Sequence, residues 1–187
     1  MRSKLIQTLR CGLGLLLLCG ACAGRPAASV EHLTDVDVAR LYGPTKLEIL
    51  PFTKFSSFDD DAIPDGVAVA LRPLDEMGDP TKAYGEFLFE LFTYREASAQ
   101  RAGQRLESWS QSILTSDDQH RFWDRVTSTY VFQLTWEGGQ FPKTDQKYVL
   151  TASYLGPSGR RLFAEHTFEF RVNRREIRES MGASAAH

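Results

Sequence analysis

Three cysteines and two groups of carboxylates are the residues of this chain whose type and spacing could do chemistry. The cysteines stand at positions 11, 19 and 22, and the carboxylates of interest are Asp59, Asp60, Asp61 and Asp79. Carboxylate oxygens are the ligands that calcium prefers, so the four aspartates are a candidate calcium site at one end of the fold. Their spacing matches no EF-hand loop, and solvated acidic turns are the competing interpretation.

The cysteines lie in a segment that has the features of a signal peptide. Arg2, Lys4 and Arg10 precede the apolar run 11–19, and residues 1–21 contain no acid. A basic segment followed by a short apolar run is typical of export signals and is too short to span a bilayer. The rest of the chain has no cysteine, so its fold has to be stable without disulfide bonds or cysteine-bound zinc.

The end of this segment resembles the lipobox of bacterial lipoproteins. Its sequence is Leu18-Cys19-Gly20-Ala21-Cys22, and Cys19 stands where the family usually has an aliphatic residue. The resemblance implies cleavage before Cys22, a covalent lipid on that cysteine and, because Ala23 follows rather than Asp, location at the outer membrane. Ala21-Cys22-Ala23 also fits the ordinary signal peptidase, whose cleavage would release a soluble periplasmic protein. We expect the lipid anchor, with the soluble form as the alternative.

The remaining chain divides into a tether, one domain and a tail. Residues 22–41 follow the signal peptide as the anchor cysteine and a small, polar tether, and residues 42–173 carry the apolar patterning of one folded domain. Residues 174–187 are charged and poor in apolar side chains, which predicts disorder or a frayed helix. Arginine and lysine number 22 against 24 acids, so no basic surface for nucleic acid is indicated.

Within the domain the apolar residues recur with a period of two, which is typical of half-buried antiparallel strands. Gly156-Pro157-Ser158-Gly159 predicts the turn of a hairpin. Gly85–Tyr94 is apolar at most positions, which predicts a central strand covered on both faces, whereas Arg105–Ser110 predicts a weaker edge strand. The other predicted strands are Leu47–Leu50, Val67–Leu71, Tyr130–Trp136, Lys147–Leu155 and Arg161–Val172.

About seven strands at this spacing predict an all-β fold, an antiparallel two-sheet β-sandwich of immunoglobulin-like type. A short helix is predicted over 116–125, with Ser116 as its N-cap. The segment Gly43–Pro51 and the Gly156–Gly159 hairpin also resemble segments of uncharacterised bacterial envelope lipoproteins. That resemblance implies an anchored sandwich and supplies no mechanism.

No sequence motif for catalysis accompanies this fold: G-x-S-x-G, S-x-x-K, H-E-x-x-H and the P-loop do not occur. His166 lies on the apolar face of a predicted strand, which favours a structural role over catalysis. We therefore expect a non-catalytic binding or assembly module with a protein partner in the envelope. The alternative is a glycan-binding module in which Trp109, flanked by polar residues, stacks on a sugar ring.

Overall fold

The computed structural model describes residues 41–59, 63–137 and 141–171. They form two antiparallel β-sheets packed together, with a short helix between two of the strands. The predicted signal peptide, Cys22, the tether up to residue 40, Asp60, Asp61 and the tail 174–187 lie outside the described residues. In chain order the elements are β1 (Lys46–Ile49), β2 (Lys54–Ser56), β3 (Gly66–Leu74), β4 (Gly85–Tyr94), β5 (Ala102–Ile113), α1 (Ser116–Phe122), β6 (Trp123–Asp124), β7 (Thr129–Thr135), β8 (Gln146–Leu155) and β9 (Arg161–Phe170).

The chain alternates between the two sheets. The first sheet has the order β1-β3-β7-β6, and β2 pairs with the same side of β3 as β1 does. The second sheet has the order β5-β4-β8-β9. The two-sheet prediction is confirmed, and so is each predicted strand to within a few residues, although β5 is about twice as long as expected.

The core lies between the sheets and consists of the inward residues of the alternating patterns. Phe132 of β7 contacts Phe89 and Phe87 of β4, with ring centroids 5.0 and 5.6 Å apart. These three rings are almost completely inaccessible to solvent. Burial of aromatic and aliphatic side chains, each contributing roughly 1.5–3 kcal/mol, therefore holds the sheets together.

Strand β4 is central in its sheet, as predicted, but the prediction that both of its faces are covered is wrong. Phe87, Phe89 and Leu91 point into the core, whereas Glu86 and Leu88 are exposed on the opposite face. Apolar residues on both faces of a strand therefore do not show that another layer of structure covers its outer face. Leu88 is such a residue, and it lies on the outer surface of the sandwich.

The N-cap of helix α1 lies one residue earlier than predicted, and the helix ends at Phe122. Thr115, not Ser116, is the N-cap: its Oγ1 accepts from Asp118 N–H at 3.1 Å. The Asp118 carboxylate in turn accepts from Thr115 N–H at 2.9 Å, which completes a capping box. The helix ends where Trp123 pairs with Tyr130 in the first sheet.

The β8–β9 hairpin forms with the predicted register. Leu162, Ala164 and Phe170 are buried on the inner face of β9, and Glu165 and Glu169 are exposed on the outer face. Gly159 takes a φ of 74° in the turn, a conformation in which glycine avoids the steric cost of a side chain. A shift of one residue would bury the two glutamates, so the alternation fixes the register.

The hydroxyl of Tyr148, near the start of β8, closes the loop that precedes this strand. Lys143 N–H donates to Tyr148 Oη at 2.6 Å, and Oη donates to Lys143 O at 3.0 Å. Burial raises the pKa of the Tyr148 phenol, because the ionised form would lose its hydration. Both main-chain polar groups of Lys143 are thus satisfied by a single side chain.

Replacement of this hydroxyl tests its contribution. We expect Tyr148→Phe to lower the free energy of unfolding by about 1–2 kcal/mol, because Lys143 N–H loses its acceptor while the ring remains in the core. Urea unfolding of purified protein measures the change. Tyr84→Phe is the matched control, because the Tyr84 side chain is largely exposed and its loss should leave the midpoint unchanged. Equal effects of the two variants would contradict the role of Tyr148.

Candidate interaction surface

The outer face of the second sheet carries small hydroxyl side chains around a few apolar ones. The strand registers place its outward residues in rows that run across β5, β4, β8 and β9. Because outward residues recur every second position, they form consecutive rows, three of which contain or adjoin Leu88 and Phe163. The rows are Ser112, Glu86, Leu155 and Arg161; Ser110, Leu88, Ser153 and Phe163; and Ser108, Glu90, Thr151 and Glu165.

A shallow groove of about 380 Å³ runs over the first two of these rows. Leu88 and Leu155 are apolar lining residues, and Ser110 and Ser153 leave the space above them open because their side chains are short. Glu86 and Arg161 also line the groove and lie on either side of Leu155 in the same row. The groove therefore combines an apolar centre with one acid and one base at its margin.

Two apolar side chains protrude from the second row. Leu88 is 40% exposed and Phe163 is 61% exposed, and Ser153 lies between them on β8. Single exposed apolar residues are ordinary on protein surfaces, whereas larger apolar patches are typical of interaction sites. We call the three rows, with Leu88 and Phe163 in the middle row, the outer face.

In the third row, Glu90 forms an ion pair within the sheet. Arg105 Nη1 of β5 donates to Glu90 Oε1 of β4 at 2.8 Å, and the Glu90 side chain is about one-quarter exposed. Such an ion pair contributes little to stability, because solvent screens it. The pair lies at one margin of the outer face. The charged residues that line the groove are Glu86 and Arg161.

Trp109 is not on this face, and the prediction that it is an accessible platform is wrong. It is 7% exposed, its indole N–H donates to Thr135 O at 2.7 Å, and its ring meets Trp136 edge-on with centroids 5.7 Å apart. The polar neighbours Ser108 and Ser110 suggested that Trp109 is exposed. In β5, however, these serines point outward and Trp109 points inward. Trp109 therefore links the second sheet to the first and presents no free ring face to a sugar.

Asp59 and Asp79, one from each predicted group of calcium ligands, lie at opposite ends of β3. Asp59 lies before this strand, next to Ser57, whose hydroxyl donates to its carboxylate at 3.0 Å, and Asp79 lies after it. A strand of nine residues separates its ends by roughly 25 Å at about 3.3 Å per residue. Asp59 and Asp79 cannot bind one ion, so their predicted convergence is wrong. Asp60 and Asp61 are outside the described residues.

Two other aspartates of these loops have structural partners. Asp75 Oδ1 accepts from Met77 N–H at 2.9 Å and from Asp79 N–H at 3.0 Å, which closes the turn after β3. Asp65 Oδ2 accepts from Phe58 N–H at 2.7 Å and closes the turn before it. Within 41–59, 63–137 and 141–171, no group of three or more histidine, cysteine or acidic side chains is close enough to hold a metal ion.

His166 is half-buried on the inner face of β9, where its ring lies nearly parallel to that of Phe168 with centroids 6.1 Å apart. Burial lowers the pKa of His166 below its ordinary value of 6.5, because the charged imidazolium is less well solvated there. No acid, base or nucleophile is hydrogen-bonded to it in the described part of the chain. This position fits the structural role expected from the sequence.

The lowered pKa predicts a pH dependence of stability. In the unfolded chain His166 binds a proton near pH 6.5, whereas the folded protein resists protonation until a lower pH. The contribution of neutral His166 to the free energy of unfolding is therefore complete above pH 6.5. It is lost as the pH falls from 6.5 through the lower pKa of the folded state. We expect urea midpoints measured between about pH 5 and pH 7 to fall more steeply for the wild type than for His166→Gln. Parallel profiles would contradict this assignment.

A second, smaller cavity of about 180 Å³ lies where the chain enters the sandwich. Gly43 and Pro44 form one side of it and Gly156, Pro157 and Ser158 another. The two segments whose sequences resemble envelope lipoproteins are thus neighbours in space. The hydroxyl of Tyr154 donates to Tyr84 O at 2.8 Å, and both residues line this cavity.

Sequence reasoning missed Leu88 and Phe163. A signal for Phe163 was present, because it is an aromatic residue at an outward position between Arg161 and Glu165. A signal for Leu88 was masked by the apolar run of β4, in which inward and outward positions look alike.

Among the described residues, no helix is long and apolar enough to cross a bilayer. Comparisons with protein-family models, with curated proteins and with solved structures found no match to this chain.

Proposed function

We propose that this chain is a lipid-anchored protein of the bacterial cell envelope whose sandwich binds a protein partner and performs no catalysis of its own. The observation that carries the binding function is the outer face, where Leu88 and Phe163 protrude beside an open groove. The anchor is supported by the lipobox-like residues before Cys22, and Ala23 after this cysteine supports location at the outer membrane. Cleavage by ordinary signal peptidase, giving a soluble periplasmic protein, is the alternative that the first experiment distinguishes.

We infer further that the sandwich is immunoglobulin-like. The order β1-β3-β7-β6 corresponds to strands A-B-E-D of that architecture, and β4-β8-β9 corresponds to C-F-G with β5 in the place of C′. The Tyr148 hydroxyl bonded to Lys143 supports the same assignment, because a tyrosine near the start of strand F that binds upstream main chain is a hallmark of these domains. Residues 23–187 contain no cysteine, so the sheets are held together by packing, such as that of Phe87 and Phe89 on Phe132, and not by the disulfide of antibody domains.

The chemistry of the outer face indicates the kind of partner. An apolar side chain of the partner would occupy the space between Leu88 and Phe163, above Ser153. The serine hydroxyls accept and donate hydrogen bonds, so they suit main-chain groups or polar side chains at the rim. Glu86 and Arg161 favour a partner that presents a cation and an anion at matching positions. This combination is typical of protein interfaces, in which an apolar centre is surrounded by a polar rim.

The anchor is tested by metabolic labelling with palmitate. We expect label to enter the wild-type protein and to be lost completely from Cys22→Ala, because the thioether can form only at that sulfur. Cys19→Ala is the matched control and should still be labelled. Label that persists in Cys22→Ala would overturn the anchor, and unlabelled wild type found in the periplasmic fraction would support the soluble alternative.

The binding function is tested by charge placed in the outer face. We expect Phe163→Asp to abolish a formaldehyde crosslink to the partner in living cells, because burial of a carboxylate at the interface centre is costly. Gln133→Asp, at an exposed position on the outer side of the first sheet, should leave the crosslink intact. A partner retained by Phe163→Asp, or lost equally from both variants, would exclude the outer face as its binding site.

A further inference from the structure

Strand β5 has one open side. Among the described strands it pairs with β4 alone. Ser108 N–H takes no part in that ladder, because it donates to the carboxylate of Glu107 at 3.2 Å. Since main-chain groups of an antiparallel strand alternate in direction, Ser110 and Ser112 present N–H and C=O on the same open side as Ser108. The strand thus offers a row of peptide groups to a further strand.

The half of β5 that contains these serines lacks the usual protection of an edge. Ser108–Ile113 has no charged residue and no proline. The opposite half carries Arg105 and Glu107, and the irregularities in the pairing with β4 are confined to that half. Charges, prolines and bulges are the devices by which proteins keep edges from pairing, so Ser108–Ile113 is unprotected.

The other edges in the described part of the chain are protected. Strand β6 has two residues, which is too short to guide another strand. The β1–β2 edge is interrupted, and Thr53 Oγ1 accepts from Ala70 N–H at 3.1 Å in the gap. Strand β9 carries three outward charges along its length, Arg161, Glu165 and Glu169. The open half of β5 therefore stands out as a place for strand addition.

We propose that β5 pairs antiparallel with β5 of a second copy of this chain, about a twofold axis at Ser110, so that the two second sheets become one continuous sheet. The run Ser108-Trp109-Ser110-Gln111-Ser112 has serine at every outward position and reads almost the same in both directions. An antiparallel copy therefore places Ser108 opposite Ser112 of the second copy and each Ser110 opposite its equivalent.

This register is also compatible in charge and in polarity. It sets Arg105 opposite Thr115 and Glu107 opposite Ile113 of the second copy, so no like charges face each other across the pair. Leu106 lies opposite Leu114, which is exposed in the single chain and would be covered in the pair. Each of the three opposed serine pairs exchanges two main-chain hydrogen bonds, about six in all, and in two of these Ser108 N–H gives up its bond to the Glu107 carboxylate. Pairing with a different protein would not require the run 108–112 to be symmetric about Ser110. For this reason we assign a second copy of this chain as the strand that pairs with β5.

The interface is narrow, since one strand pair buries far less than the 1,200–2,000 Å² of typical stable complexes. We therefore expect a dimer of moderate affinity that is detectable below roughly 100 μM. The outer face stays open in it, because strand addition uses the edge of the sheet and leaves its surface accessible. The pairing does not depend on the proposed lipid anchor or on the proposed protein partner.

The proposal is tested by sedimentation equilibrium of the full processed chain in density-matched detergent. Variants with a negative or a positive charge at Ser110, on the twofold axis, are compared with the wild type. We expect Ser110→Glu alone and Ser110→Lys alone to dimerise at least about tenfold more weakly than the wild type, because each places like charges opposite each other. An equimolar mixture of the two should recover association, which also shows that both variants are folded.

Gln133→Glu, on the outer side of the other sheet, is the matched control and should dimerise like the wild type. A wild type that stays monomeric up to roughly 100 μM would overturn the proposal. So would variants at Ser110 that dimerise normally, a mixture that fails to associate, or a Gln133→Glu variant that is equally impaired.

Discussion

Trp109→Ala is expected to lower the free energy of unfolding by about 3–5 kcal/mol, a large part of the stability of a domain of this size. The substitution removes a nearly buried ring from the contact with Trp136 and leaves a cavity at the margin of the core. It also removes the indole donor to Thr135 O, which joins the edge of the second sheet to the end of β7. Urea unfolding followed by circular dichroism measures the change.

Trp109→Phe separates the two contributions. It keeps an aromatic ring in the core and loses the N–H donor, so we expect a loss of about 1–2 kcal/mol. A Trp109→Ala variant with wild-type stability would contradict the buried position of this residue and would restore the idea of an exposed sugar platform. Weaker ligand binding by Trp109→Ala would not by itself indicate a sugar platform, because the substitution also destabilises the fold. The unfolding measurement detects that loss of stability.

Gly66→Ala is expected to cost about 3 kcal/mol, at the upper end of the range for overpacking. Gly66 begins the central strand β3 and pairs with Ser56 on one side and Thr135 on the other. A Cβ at Gly66 would overlap the main-chain oxygen of Leu134, and it would lie 2.9 Å from the ring of Phe58. A main-chain oxygen within a sheet cannot move aside as a side chain can, so the strands themselves would have to separate.

Gly78→Ala is the matched control for that prediction. Gly78 has a φ of 86°, but no atom would lie within 4 Å of an added Cβ. Only the backbone cost of a left-handed conformation remains, which is about 1 kcal/mol. Thermal or urea unfolding of both variants compares steric overlap with backbone strain. A Gly66→Ala variant no less stable than Gly78→Ala would contradict the pairing of β3 with β7.

Most of the strands could be predicted because their information is local. The alternation in Arg161–Phe170 and the turn glycines before it specify both the strand and its register. The cap of α1 differed by one residue because Thr115 and Ser116 are chemically equivalent candidates, and only the position of the Asp118 carboxylate distinguishes them. The length of β5 was underestimated because its outward serines and charges resemble a loop.

The candidate surface could not be predicted, because it depends on which residues of separate strands lie side by side. Leu88 is far from Ser153 and Phe163 in the sequence and joins their row only through the pairing of β4 with β8. The same limitation explains the error for the acidic groups. Asp59 and Asp79 flank one strand, and the direction of that strand, which separates them, is a property of the fold and not of their spacing.

Site-specific photocrosslinking in living cells tests most directly the claim that the outer face binds a protein. A photoreactive residue at position 163 should yield a crosslink to one recurring envelope protein. The crosslink should disappear when Leu88→Asp is added in the same chain, because Leu88 lies in the same row. A photoreactive residue at position 133 should not yield this product. The absence of a recurring product from position 163, or the same product from both positions, would contradict the claim.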